Sequence, residues 1–231
     1  GPQSTRHAGR PPCGGQREHF ASLLGGSVIW NLWLGLQAKD TVEDFVLERQ
    51  LLRLAIGEDA LQHYLKGRFF WAQRSADSLG RASTEFAACA GAAPDFAPAY
   101  VGLADCQIVL ALYGIEQPQR AAAIAREHLA NALALDPDSV EVQTAGGALR
   151  LFLDWDFEGA ERACVRALAL NPNYTTTYLS YGDLLMMRGE FARGLGLIRE
   201  AAKLSPFDLG LNMNIGDFLI FSRRFEEAVR Q

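Results

Sequence analysis

An all-α array of antiparallel helix pairs is the fold this sequence predicts, and three observations carry the prediction. Pro94, Pro137, Pro172 and Pro206 recur at intervals of 43, 35 and 34 residues. Three of them close runs of one kind: Ala132–Pro137 (Ala-Leu-Ala-Leu-Asp-Pro), Ala167–Pro172 (Ala-Leu-Ala-Leu-Asn-Pro) and Ala201–Pro206 (Ala-Ala-Lys-Leu-Ser-Pro). Aligned on these prolines, the intervals carry small and apolar residues in matching register. A period near 34 residues that ends in proline marks a helical repeat. Each unit of such an array buries its apolar face on the next, so no single central core is needed.

Composition agrees. The 231 residues are 49% hydrophobic and 21% charged, ordinary values for a globular chain. The net charge of −5 and the lack of a basic block argue against direct nucleic-acid binding. Cys13, Cys89, Cys106 and Cys164 lie far apart with no Cys-x-x-Cys pair, which reads as reduced thiols in a reducing, cytoplasmic setting. Cys89 and Cys164 fall on helical core positions, where cysteine acts as a small hydrophobe.

Taken in order, the first 19 residues are rich in Gly, Pro, Arg and Gln and are expected to be disordered. Phe20 to Ala38 carries no formal charge and has the length of a membrane span, but Gly25, Gly26, Ser27, Asn31, Gly35 and Gln37 dilute it. No span is expected. Residues 1–39 are read as a partly disordered segment, the remnant of an upstream domain, and 40–60 as a linking helix. The array then runs over 61–231, in units at 61–96, 97–139, 140–174, 175–208 and a partial unit at 209–231. The chain ends in mid-helix without the polar cap of a terminal repeat, so the natural protein is expected to continue.

The unit closing at Pro94 carries Gly67, Phe70, Ala82 and Phe86, with about three residues beyond the standard period. His63 falls on an aromatic position of this unit and is expected to pack in the core. The next unit opens with Tyr100 and Leu103-Ala104 and has Ala125, Leu129 and Ala132 on its second helix. Its inter-helix loop, Tyr113 to Pro118, makes it about nine residues long relative to the standard unit. The third carries Gly147, Ala160, Ala163 and Ala167, with Asp156 as a helix N-cap. In the fourth, Gly182 and Ala201 are small where helices cross closely, and Gly189 is placed to take the left-handed C-cap conformation. The last carries Gly216, Phe225 and Ala228.

The fourth unit has Tyr178, Tyr181, Gly182, Phe191, Ala201 and Pro206 at the fourth, seventh, eighth, seventeenth, twenty-seventh and thirty-second positions. That pattern resembles the tetratricopeptide repeat (TPR). It departs at Gly194, where the family prefers Ala, and at Leu185 and Ile198, which replace aromatics but stay apolar. The resemblance implies a right-handed TPR superhelix of antiparallel helix pairs, with about four repeats plus a truncated fifth and a poorly ordered N-terminal segment. A narrower resemblance rests on Tyr64–Trp71 and Asp154–Glu161, which look like stretches in the repeat regions of bacterial multidomain signalling proteins. Leu32-Trp33, followed by Glu43–Gln50, resembles the end of the TolB-like domain that often precedes such repeats, with Glu-Arg-Gln in place of Gln-Asp. This implies the sensing or docking part of a regulator whose effector (winged-helix, kinase or adenylate cyclase) is missing here.

No catalytic constellation stands out, and the chain is read as non-enzymatic, with no cofactor and no metal. His-Glu-x-x-His, Gly-x-Ser-x-Gly and a Walker loop are absent from the sequence. Leu24–Ser27 reads as a turn, and Asp154 with Asp156 as helix-start carboxylates.

The TPR resemblance instead points to the concave groove lined by the first helix of each repeat. Its ninth positions here are Arg68, Asp105, Ala148, Asp183 and Asp217. Its twelfth and thirteenth include Trp71, Ile108, Val109, Leu151, Phe152, Met186, Met187, Ile220 and Phe221. Such a surface suits a peptide or helix with apolar anchors and basic residues. The Lys/Asn/Arg clamp that some family members use for a C-terminal carboxylate is missing. Two other readings stay open: the repeat portion of a kinase or cyclase, and a small-molecule sensor with its ligand between Trp71, Phe152 and the carboxylates.

Overall fold

The computed structural model describes residues 50–206 and 209–230; the segment 1–39 and the first part of the expected linking helix lie outside the described residues. Helix pairs follow one another along the chain. They are α1 (Glu58–Ala72) with α2 (Ala76–Ala92), α3 (Ala97–Leu112) with α4 (Pro118–Leu135), α5 (Val140–Leu149) with α6 (Phe157–Leu170), α7 (Thr175–Met187) with α8 (Phe191–Leu204), and α9 (Leu209–Phe221) with α10 (Phe225–Arg230). A helical turn over 50–56 precedes them and ends at Gly57, whose φ of 83° breaks the chain direction before α1.

Local chemistry sets the boundaries. Ser75 and Ser78 form a reciprocal capping box at the start of α2, and the Ser139 hydroxyl accepts from the Val142 N–H at the start of α5. Asp156 caps α6 as expected, accepting from the Gly159 N–H at 2.8 Å. A Cβ on Gly159 would lie 2.0 Å from that carboxylate, so the cap requires glycine there. Pro118 begins α4 at the first helical position, where its missing N–H costs nothing.

Each first helix ends in the left-handed region, at Arg74 (φ 53°), Gly114 (67°), Trp155 (57°), Gly189 (76°) and Arg223 (61°). Gly189 bears out its expected C-cap. The three non-glycine residues carry the strain that this conformation imposes on a Cβ. In the third pair the first helix widens into a π turn over Arg150–Asp154, which absorbs an extra residue before Trp155.

The joints between pairs share one further device. Six residues beyond each closing proline, a side chain donates to that proline's carbonyl. The donors are Tyr100 to Pro94 (3.1 Å), Gln143 to Pro137 (3.4 Å), Tyr178 to Pro172 (2.7 Å) and Asn212 to Pro206 (3.0 Å). Each bond satisfies the carbonyl of a proline that lies two residues past the end of a second helix.

Packing is by interlocked rings and glycines. Phe86 of α2 is wholly buried, and a Cβ on Gly67 of α1 or on Gly102 of α3 would come within 2.7 Å of its ring. The ring thus pins the first pair to the second. Gly182 accommodates Ile198 in the same way, and Gly194 accommodates Phe218 of the following helix. Cys89, Cys106 and Cys164 are free and buried. His63 corrects its core expectation: it is 37% exposed, and its Nδ1 lies 2.7 Å from Glu85 Oε2, tying α1 to α2 at the surface. The ring positions of the core are held by Tyr64 and Phe86 instead.

The turn over 50–56 packs across several pairs. Leu52 (4% exposed) and Leu61 share one apolar cluster with Val140, Ala167 and Tyr174, which lie at the start of α5, in α6 and just before α7.

Candidate partner-binding groove

Successive first helices pack on one another: α1 on α3, α3 on α5, α5 on α7 and α7 on α9. Among the described residues, successive second helices make no contact of that extent. The first helices therefore form the inner, concave wall of the array. That wall has two edges. The edge made by the helix starts is covered by the turn 50–56 through Leu52. At the helix ends lie Tyr113 (52% exposed), Met187 (41%), Ile220 (49%) and Phe221 (61%), apolar groups open to water.

Four charged residues expected on this wall take up distinct settings. Arg68 interacts with Tyr64, Tyr174 and Asp105, the first of these contributing most to holding its guanidinium protonated. Burial pushes the Asp105 carboxyl up to about 6 despite the nearby Arg68 and Arg74 cations. Burial also pushes Asp183 up to about 6, and the Asp217 charge adds to this. Asn214 donates to Asp183 at 3.1 Å, which favours its charged form. Arg68 is thus brought together with Asp105, and Asp183 with Asp217.

The apolar positions divide. Trp71 is half-buried beneath two guanidinium groups, Arg74 at 3.6 Å and Arg68 at 5.8 Å from its ring centroid. Met187 and Phe221 project into solvent. Phe152 is half-buried and packs against the clusters on both sides of α5, and Met186 packs half-buried against α8 and α9. Val109 is only 6% exposed, Ile108 3% and Leu151 1%. These three point between helices rather than into the groove, because close packing of successive first helices closes over them.

Three residues of the site escaped the sequence reading. Arg74 and Tyr113 sit at the turns that follow first helices, outside the helix-face positions considered there. Glu141 is 4% exposed and accepts from the Ser139 hydroxyl at 2.9 Å. Its charge helps raise the Tyr174 phenol, after burial. The signal for Arg74 was its place one turn beyond Trp71.

On the array's flank, Glu161 receives Arg188 at 2.5 Å, Arg193 at 3.3 Å and the Tyr181 hydroxyl at 3.0 Å, joining α6, α7 and α8. The Arg188 bond chiefly, with the Tyr181 and Arg193 bonds, holds the Glu161 carboxyl below its ordinary value. Among the described residues, no three His, Cys, Asp or Glu side chains gather to hold a metal, and no helix is long and apolar enough to cross a membrane.

The shifted carboxylates make the stability depend on pH in opposite senses. Asp183 binds its proton more tightly in the folded chain than in the unfolded one. Its favourable contribution is complete below the ordinary carboxylate value and is lost as pH rises through about 6. Glu161, lowered, contributes above its unfolded value and loses that contribution as pH falls. Asp183→Asn is therefore expected to stabilise the chain at neutral pH, with the gain shrinking towards about pH 5. Urea melts at both pH values check this, and an equal gain at both would refute the burial of the charge.

This architecture is that of the tetratricopeptide repeat, a right-handed superhelix of antiparallel helix pairs. In solved structures it is similar to a thermophilic TPR protein of Thermus thermophilus, with a TM-score of 0.60, 17% identity, and 84% of this chain and 98% of that chain covered. It is also similar to PilF of Pseudomonas aeruginosa, with a TM-score of 0.51, 17% identity, and 74% and 72% covered. No protein-family model matches the chain. Among curated proteins it is similar to the transcriptional regulator HilA of Salmonella typhimurium and of Salmonella typhi, each 27% identical over 148 residues. The match covers 64% of this chain and only 27% of those relatives.

Proposed function

We propose that this chain is a non-catalytic protein-interaction array that takes a peptide or helix in its concave groove, at the edge formed by the ends of the first helices. The observation that carries this reading is the open row of Met187, Ile220 and Phe221 beside the Asp183–Asp217 pair. Exposed large apolar groups next to buried charge supply anchors and a polar partner for a segment with basic residues. The wider role is the sensing or docking part of a bacterial signalling or transcriptional regulator. The partial similarity to HilA, a transcriptional regulator, supports this role.

The test is retention of proteins from the source lysate on the immobilised chain, compared with an Asp183→Lys, Met187→Glu, Phe221→Glu variant. Met187 and Phe221 are exposed but Asp183 is half-buried, so circular dichroism checks the fold and the Met187→Glu, Phe221→Glu double variant repeats the comparison without the Asp183 change. A protein held by the wild type and lost by the variant is the expected result. Equal retention by both would remove the groove from the reading.

A further inference from the structure

The groove's charges are sorted along its length. At the α1–α3 end stand Arg68 and Arg74, sharing one carboxylate, Asp105. At the α7–α9 end stand Asp183 and Asp217. Among the described residues, none of these five side chains makes an ion pair within 4.0 Å. The α7–α9 end therefore presents two carboxylates, with Arg223 at the turn beyond α9, and the α1–α3 end presents two guanidinium groups beside Asp105 and the buried Glu141.

The cationic end is also shaped. Arg74 is held at φ 53°, which fixes where its side chain leaves the turn, and its guanidinium carbon lies over the Trp71 ring, 3.6 Å from the centroid. A stacked guanidinium keeps its N–H donors free in the ring plane, and a carboxylate can meet them in bidentate fashion. The buried Trp71 Nε1 beneath has no hydrogen-bond acceptor.

The geometry points to a partner segment of split charge, with an acidic residue laid against Arg68, Trp71 and Arg74, apolar residues between, and a basic residue at Asp183 and Asp217. This rests on the groove reading above and adds to it the acidic contact and the order of the three parts. A carboxylate at the first end and an ammonium or guanidinium at the second complement the charges present, and the reversed placement opposes both.

The test uses the full chain and three synthetic segments with the same Leu-rich centre: paired Glu at one end and paired Lys at the other, Glu at both ends, and Lys at both ends. The readouts are the Trp71 indole N–H, assigned among the four tryptophans with Trp71→Phe, and the Met187 methyl, assigned among the three methionines with Met187→Leu. The split-charge segment is expected to shift both signals saturably and to bind most tightly. The all-Glu segment should shift Trp71, and the all-Lys segment should leave it in place. Arg68→Glu with Arg74→Glu should abolish the Trp71 response and spare the Met187 response. Arg74→Gln, at an exposed position, should weaken the Trp71 response with the least risk to folding. A Met187 response with Trp71 unmoved, or moved equally by the all-Lys segment, overturns this inference and leaves the groove reading standing. No response at either signal overturns both.

Discussion

Phe86→Ala is expected to cost about 3–5 kcal/mol, the range for emptying a buried aromatic site. The upper part of that range applies because the site cannot collapse. Two of the walls facing the ring are Gly67 and Gly102, which have no side chains to move into the space. The ring also loses its contact with Tyr64, whose centroid lies 6.0 Å away. In a repeat array each unit is stabilised by its neighbours, so the loss should be local. Native-state hydrogen exchange should show α1, α2 and α3 losing protection while α7 and α8 keep theirs. Uniform loss along the array would mean that the units are more tightly coupled than their contacts suggest.

Gly194→Ala is expected to destabilise the chain, against both helix propensity and the family pattern. Alanine is favoured over glycine in a helix interior by about 1 kcal/mol, and the repeat prefers alanine at this position. Here, however, the added Cβ would lie 2.3 Å from Cε1 and Cζ of Phe218 and 3.3 Å from Leu185 Cβ. Phe218 is wholly buried and has no free volume to turn into. Overpacking of this kind costs about 1–3 kcal/mol, with helix strain added where the ring must move. A urea melt reads the net loss. Phe218→Leu in the Gly194→Ala background should recover part of it, since neighbours in contact are not additive. A gain from Gly194→Ala alone would mean that the Phe218 ring does not sit over this glycine.

The same pair of residues shows where sequence reading stops. The proline period and the small residues of the crossings suffice for the TPR superhelix, because they are properties of each unit alone. Gly189 and Asp156 were legible for the same reason, as caps with a local signature. Gly194 departs from the pattern because of a ring from the next unit, a fact that exists only after the units stack. The left-handed ends at Arg74, Trp155 and Arg223 lacked the glycine that would have signalled them. The groove positions had a similar fate. Helix-face numbering chose the side of α3 that bears Asp105 and Val109, but not the depth, and Val109 is covered where Asp105 remains partly open. His63 was misplaced because its partner, Glu85, lies one helix away.

Solenoids of paired helices are springs, and Leu52 alters this one. Its side chain shares a cluster with Val140, at the start of the third pair, and with Tyr174, at the start of the fourth. Stretching the coil between the first and third pairs would pull that side chain into water, at a cost of about 1.5–3 kcal/mol. From α7 to α10 the shared apolar cluster joins only adjacent pairs, from Tyr178 and Met186 through Phe218 to Ala228. The coil is thus stiff at its start and compliant at its end. Under tension, or when it wraps an occupant, the turns that open first are those that carry Met187 and Phe221.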